Sequence, residues 1–338
     1  MRPLDDAGRA TLAALRQRIQ VALVVEHFTV PPYLYALLSL DEATNPRAAA
    51  SLRLVLMEEM LHMALVANLL NAIGGAPDLL APGFVQRYPC APPHSAGTPV
   101  LGLRPLTPES LDSFLRMERP CPFDASTVEG FRALGQVYSV ILGRLAALAE
   151  RYGEAAVFSG DPARQLTAEH YYGGRGALRP IADYASAEEA FETIVAQGEG
   201  AAWWGEAPRV TGDDDPTLGH HQRFLSLALG RRWAPGDRLD GDPTGPPDPV
   251  DWGAVTPLVS DPRAQDYAPG TDARAALDAC NASYRALLAA LHRAFNGEPA
   301  AMGEAVPAMY ALRRRAEALR HLPLPNANGA RLGPSFEV

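Results

Sequence analysis

Apolar residues recur at three- and four-residue steps from residue 8 to about residue 40, through Leu12, Leu15, Ile19 and Leu23, with Glu26 on the same line. That spacing predicts a helix. Pro31-Pro32 removes two backbone donors, so a kink or restart is expected before YLYALLSL resumes the pattern. In DEATNPR, Asn45 stands where a helix cap belongs and Pro46 where a first helical residue belongs. A long helix is then expected from about Pro46 to Ile73, ended by Gly74-Gly75.

From 76 to about 122 the chain is Pro-rich, which suits a long crossover with a short helix near 108–118. Residues 125–152 return to helical spacing, with Phe131, Leu134, Tyr138, Ile141 and Leu145 as the apolar stripe. FSGDPARQLTAEHYYGGRGALRP reads as a loop, and helix resumes at about 186–203. The acidic turn VTGDDDPT interrupts it before LGHHQRFLSLALG. Residues 232–270 carry many Pro, Gly and Asp and few periodic apolar positions, and two last helices are expected at about 271–296 and 300–320. No alternation of period two stands out and no segment repeats, so the fold class is all-α.

A chain of 338 residues with 47% hydrophobic and 20% charged residues is long enough to bury a large core. Its formal net charge is −9, all thirty basic residues are arginine, and no basic run of the kind a polyanion needs appears. That argues against a nucleic-acid or anionic-membrane partner. Cys90, Cys121 and Cys280 lie far apart without CxxC spacing, so neither a disulfide framework nor a thiolate zinc site is supported. The N-terminus has no signal-like apolar core, and no apolar stretch is expected to span a bilayer; a cytoplasmic location is the default expectation.

Register adds chemistry to the first two helices. Taking the connector midpoint near Thr44, Glu26 lies about 18 residues before it, and Glu59 and His62 lie about 15 and 18 after it. In an antiparallel hairpin these three side chains stand nearly level, and Glu59 and His62 share a face. Four-helix di-metal carboxylate proteins use this arrangement. Glu58 falls one position off that face and is expected to be solvated. The other half of such a set is less defined: Gln136 on the third long helix, Glu199 on the fourth, and His220 or His221 beyond the acidic turn. A buried Glu/His set favours Fe or Mn over Ca, because imidazole suits transition metals. Against this stand the plainer readings: Glu58-Glu59 as an exposed pair, His62 as a satisfied core histidine, and His220-His221 as a solvated helix start.

Several segments carry a likeness to known sequences. EHFTVPPYLYALLSL, EEMLHMALVANLLNAIGG, FSGDPARQLTAEHYYGG, IVAQGEGA and HHQRF, in order from about residue 15 to 230, together resemble the ferritin-like domain family of bacterial secondary metabolism. That family includes the domain of the violacein-pathway iminophenyl-pyruvate dimer synthase. The resemblance implies a four-helix ferritin-like bundle over 8–230 with insertions at 76–122 and 153–185. Residues 231–338 would then form an irregular segment and C-terminal helices packed on the bundle. It implies Glu26, Glu59, His62, Glu199 and His221 as metal ligands. Gln136 stands where some relatives carry Glu, and Glu118 in FLRMERP also recurs in the family pattern.

The expected function is a non-haem enzyme using one or two Fe ions, or Mn, to oxidise a small amino-acid-derived intermediate in natural-product biosynthesis. Its partners would be a small-molecule substrate and O2. Tyr171, Tyr172 and Trp203 would shape the substrate pocket, and a homodimer is compatible with the sequence. Imine oxidation or coupling is implied only by the violacein-pathway relative. Two other readings are a ferritin-type metal-binding protein without turnover and a non-catalytic helical partner in a biosynthetic complex.

Overall fold

Asp5 starts the first helix: its carboxylate accepts the Gly8 N–H at 2.8 Å and the Tyr152 hydroxyl at 2.6 Å. The computed structural model describes residues 3–95, 97–120, 134–171, 175–198, 207–322, 324 and 329–338. Helix α1 runs Asp6–Ser39 and α2 Pro46–Ala72. Helix α3 spans Pro108–Met117, α4 Leu134–Tyr152, and the single turn α5 Glu154–Val157. Helices α6 (Tyr184–Gly198) and α7 (His220–Leu229) follow. A long irregular segment leads to α8 (Asp272–Phe295) and α9 (Met302–Leu319). Among the described residues β pairing is limited to isolated bridges. The all-α architecture read from the sequence therefore holds.

Helices α1, α2, α4 and α6 pack as the bundle, α7 lies against α2, α3 and α6, and α8 pairs with α9. One contiguous apolar core runs from Leu12 and Leu15 of α1 to Leu312 and Ala316 of α9. Asn71 of α2 ties the C-terminal part to the bundle by donating to the Phe295 carbonyl at 2.7 Å. Helices α1 and α2 are also long and apolar enough to cross a membrane by length and composition, contrary to the sequence expectation. Their apolar windows are 78% and 83% buried inside the fold, which makes them core helices of the protein.

The expected break at Pro31-Pro32 does not occur, because α1 continues through both prolines. A proline inside a helix costs about 3 kcal/mol. Burial of Leu15, Ile19, Leu23 and Phe28, each 0% exposed, returns about 1.5–3 kcal/mol apiece. The N–H missing at Pro32 would have bonded the Phe28 carbonyl, and the crossover supplies a substitute: the Tyr88 hydroxyl donates to it at 2.6 Å.

The connector also differs from expectation. Pro46 takes the first position of α2, but the Asn45 side chain makes no cap bond. It pairs instead with the Asp251 backbone, donating to its carbonyl at 3.1 Å and accepting its N–H at 2.8 Å. Gly74, at φ 72°, ends α2 as read, and the Gly75 N–H reaches the Leu70 carbonyl at 2.8 Å. The terminal GPSFEV packs inward, with Gly333 so close to the Tyr35 ring that any β-carbon would collide with it.

Candidate metal centre

Five ionisable side chains converge where α1 and α2 meet the end of α3 and the start of α7. Glu26 projects from α1, Glu59 and His62 from one face of α2, Glu118 from the C-cap of α3, and His220 from the first residue of α7. Each is at most 2% exposed.

The hairpin brings Glu26 level with the α2 pair. His62 Nδ1 lies 3.1 Å from Glu26 Oε2 and 3.6 Å from Glu59 Oε2. On the opposite side, His220 Nδ1 lies 3.4 Å from Glu59 Oε1 and 3.6 Å from Glu118 Oε2. Two groups result, Glu26–Glu59–His62 and Glu59–Glu118–His220, and in each the donor atoms gather within 4.8 Å. Glu59 belongs to both, with one oxygen toward each histidine.

Both imidazoles present Nδ1 inward and Nε2 outward. His62 Nε2 lies 2.9 Å from Gln197 Oε1, and His220 Nε2 lies 3.2 Å from Glu58 Oε2. Those outer partners accept, so Nε2 carries a proton and Nδ1 is the nitrogen left to face a metal. This is how metal-bound histidines are held. The carboxylates are held too: the Tyr138 hydroxyl donates to Glu26 and the Tyr33 hydroxyl to Glu118.

Burial pushes the Glu26 carboxyl up, against the opposing pull of His62. Burial also pushes Glu59 up, but the attraction of the adjacent His220 and His62 outweighs it and holds Glu59 below the usual carboxylate range. For His62, burial pulls down and the Glu26 and Glu59 carboxylates more than reverse it, to about 10. His220 is likewise raised well above its ordinary value, by Glu118, Glu58 and Glu59 against burial. Without a metal, then, each imidazole carries a second proton, on Nδ1, at neutral pH.

The buried carboxylate and imidazole donor set fits a bound metal. Glu59 Oε2 and His220 Nδ1 are buried with no hydrogen-bond partner among the described residues, and both atoms face the space between the ligands. That space is about 10 Å³, close to the minimum that holds one water-sized sphere. With Glu58 counted, four carboxylates and two neutral imidazoles balance two divalent cations. Two protons on the imidazoles would leave the dry site net negative, an expensive state.

Several sequence expectations need correcting against this geometry. His221 lies off the cluster: it is half-buried, and its Nδ1 lies 3.2 Å from the Leu115 carbonyl. His220 takes the inward position because it shares the buried stripe of Phe224 and Leu227. Glu58 is 1% exposed rather than solvated. Gln136 is half-buried, and from α4 it is Gly135 and Tyr138 that border the site. Glu118, a weaker candidate in the sequence, is in the second group. Glu199, Tyr172 and Trp203 lie outside the described residues, although Gly198, just before Glu199, borders the site. Tyr171 is half-buried and donates to the Arg175 carbonyl at 3.2 Å rather than to a ligand, although it feels the charge of Glu58.

Tyr33, Tyr138 and Gln197 were not singled out from the sequence as site residues. Gln197 sits in the quoted IVAQGEGA, two residues before Glu199, and Tyr138 sits on the apolar stripe of its helix. Each carries a polar end on a buried face, and a buried polar end needs a partner.

Residues 19–229 match the family model described as Ferritin-like. A crystal structure of a ferritin-like protein from Caulobacter vibrioides superposes with a TM-score of 0.61 at 21% identity, covering 94% of this chain and 96% of that one. At that identity the likeness concerns the fold. No curated protein sequence matches the chain.

Proposed function

Since the chain belongs to the ferritin-like family, we propose that it is a non-haem metal-dependent oxidative enzyme that uses O2 on a small, amino-acid-derived molecule. The observation that carries this reading is the shared Glu59, which makes one two-ion site of two three-ligand groups. In this reading Glu26, Glu59 and His62 would hold one ion and Glu59, Glu118 and His220 the other. Iron is the leading candidate and Mn the alternative, because both accept mixed carboxylate and imidazole ligands. Bound there, such ions would supply redox chemistry and Lewis acidity with O2 as the oxidant.

The chain's own residues do the rest. Tyr138 and Tyr33 orient the terminal carboxylates through their hydroxyls, and Gln197 and Glu58 fix the tautomers of the two histidines. Burial and the neighbouring Glu118 hold the Tyr33 phenol well above its ordinary range, so it keeps its proton as a donor. Met117, Ile194 and Val195 exclude water along the wall of the site. Natural-product biosynthesis, and oxidation or coupling at an amine or imine, are supported by the resemblance of the α1 and α2 segments to the bacterial secondary-metabolism family.

The test is anaerobic loading of metal-free protein with Fe(II), followed by air. Two irons per chain, O2 uptake and single turnover of a small amine are expected, and Glu59→Ala abolishes all three. Full iron binding without amine turnover would favour a ferritin-type metal-binding protein. Sub-stoichiometric metal that Glu59→Ala leaves unchanged refutes both readings.

A further inference from the structure

Helices α2 and α7 continue side by side beyond the metal centre. Arg47, Ser51, Leu54 and Glu58 follow four-, three- and four-residue steps along one face of α2. His220, Arg223 and Ser226 follow three-residue steps along one face of α7. Glu58 meets His220 at one end, and the Arg47 guanidinium donates to the Ser226 hydroxyl at the other, so the two faces run antiparallel. Between these ties lies a cavity of about 170 Å³, walled in part by Leu54, Arg175, Leu218, Arg223 and Trp233.

Arg223 is the unexplained residue in that wall. It is 8% exposed, yet its Nε and Nη2 have no hydrogen-bond partner among the described residues. The other two arginines of the cavity are engaged. Arg47 pairs with Asp213 at 3.1 Å, and Arg175 donates to the Asp215 and Asp214 carbonyls at 2.9 and 3.0 Å. Burial lowers the Arg223 pKa to about 10, while the charges of Glu58, Asp213 and Asp214 oppose the fall, so the group stays cationic at neutral pH. A buried guanidinium without partners is costly. Nε and Nη2 form one edge of the guanidinium, and the parallel N–H bonds of such an edge match the two oxygens of a carboxylate.

We propose that this cavity binds the carboxylate of a small organic acid, anchored on the Nε–Nη2 edge of Arg223. The lining favours a monoanion. Arg47 is held by Asp213 and Arg175 by backbone carbonyls, which leaves the Arg223 edge to meet one negative charge, and Asp213 and Asp214 repel a dianion such as phosphate. The organic part of the ligand finds an apolar wall in Leu54, Leu218 and Trp233, whose indole N–H is already donated to the Gln222 carbonyl at 3.2 Å. Arg223 lies about 5 Å along the helix from His220. The inference rests on the oxidative reading in one respect: it names a carboxylic acid as the substrate class of that centre.

Calorimetric titration of the metal-free 338-residue chain tests it with benzoate, its neutral analogue benzamide and inorganic phosphate. Benzoate is expected to bind, and benzamide and phosphate at least about tenfold more weakly. Arg223→Met is expected to lower benzoate affinity by about 30-fold or more, as loss of a buried charge partner does, while iron stoichiometry stays as in the wild type. Removing an unpartnered buried charge should leave the melting temperature unchanged or higher. Ser51→Phe fills the cavity from α2 without touching the guanidinium and should also abolish benzoate binding, which covers a failure of Arg223→Met to fold. Equal binding of benzoate and benzamide, tighter binding of phosphate, or unchanged affinity in Arg223→Met overturns the proposal. Iron loading without benzoate binding refutes this inference alone, and benzoate binding without iron loading refutes the metal reading alone.

Discussion

Replacing Glu58 by Gln separates the two halves of the proposed metal site. The two histidines differ in what lies behind them: His220 backs onto the Glu58 carboxylate at 3.2 Å, His62 onto the neutral Gln197 amide at 2.9 Å. A carboxylate behind a ligating imidazole raises its basicity, and losing such an outer partner costs about 10–100-fold in metal affinity, or about 1.4–2.7 kcal/mol. In Glu58→Gln the amide oxygen still accepts the Nε2 proton, so orientation survives and the charge is what is lost. Only the Glu59–Glu118–His220 position should weaken. An opposing effect is built in, because Glu58 also helps hold a proton on His220 in the metal-free protein. Its removal eases proton displacement, which offsets part of the loss. The assay is anaerobic Fe(II) or Mn(II) titration with stoichiometry read per chain: one ion bound as in wild type, the second about 10–100-fold more weakly. Equal weakening of both ions, or of neither, would show that Glu58 does not stand behind one ligand of a two-ion site.

Other outcomes follow from the same geometry. Metal uptake must displace the proton on each imidazole, and His62 titrates at about 10 without metal, so loading releases at least one proton per ion. Affinity then rises at least about tenfold per pH unit per site between pH 6 and 8, more steeply below pH 7 at the site of Glu26, which burial pushes up to about 7, and a pH-independent affinity refutes protonated apo histidines. His27 behaves oppositely: burial lowers its pKa from 6.5 to about 3, so only the unfolded chain takes up its proton as pH falls below 6.5. Between pH 7 and 5 the wild type should lose about 2 kcal/mol more stability than His27→Gln in denaturant titrations, the penalty growing until pH reaches the folded value. Equal losses in the two proteins would contradict this. Tyr88→Phe leaves the Phe28 carbonyl without its donor and should cost about 1–3 kcal/mol by thermal unfolding.

Much of this was legible in the sequence, for identifiable reasons. Helical periodicity located the long elements, and the near-equal distances of Glu26, Glu59 and His62 from the connector anticipated their meeting, because helix rise is uniform. Glu58 was misread because a single-face argument assumes that α2 has a solvent side. From Leu61 to Ala72 every residue of α2 is buried, so a residue off the ligand face still points into protein. His220 and His221 are adjacent in sequence, and only the phase of the stripe continuing through Phe224 and Leu227 separates them. Glu118 and the cavity at Arg223 depend on how the crossover and α7 fold back, which are long-range placements that local spacing does not encode.

The Pro31-Pro32 pair reads differently once Tyr88 is in view. A helix through prolines exposes a carbonyl that its own backbone does not satisfy, and in α1 that carbonyl becomes a docking point for the crossover two residues beyond Glu26. The prolines therefore act as an address, telling a distant segment where on a featureless apolar helix to attach. Residues 32 and 88 should then vary together among relatives of this chain. Where position 32 regains its N–H, the hydroxyl at 88 loses its reason to be there, and phenylalanine should take its place.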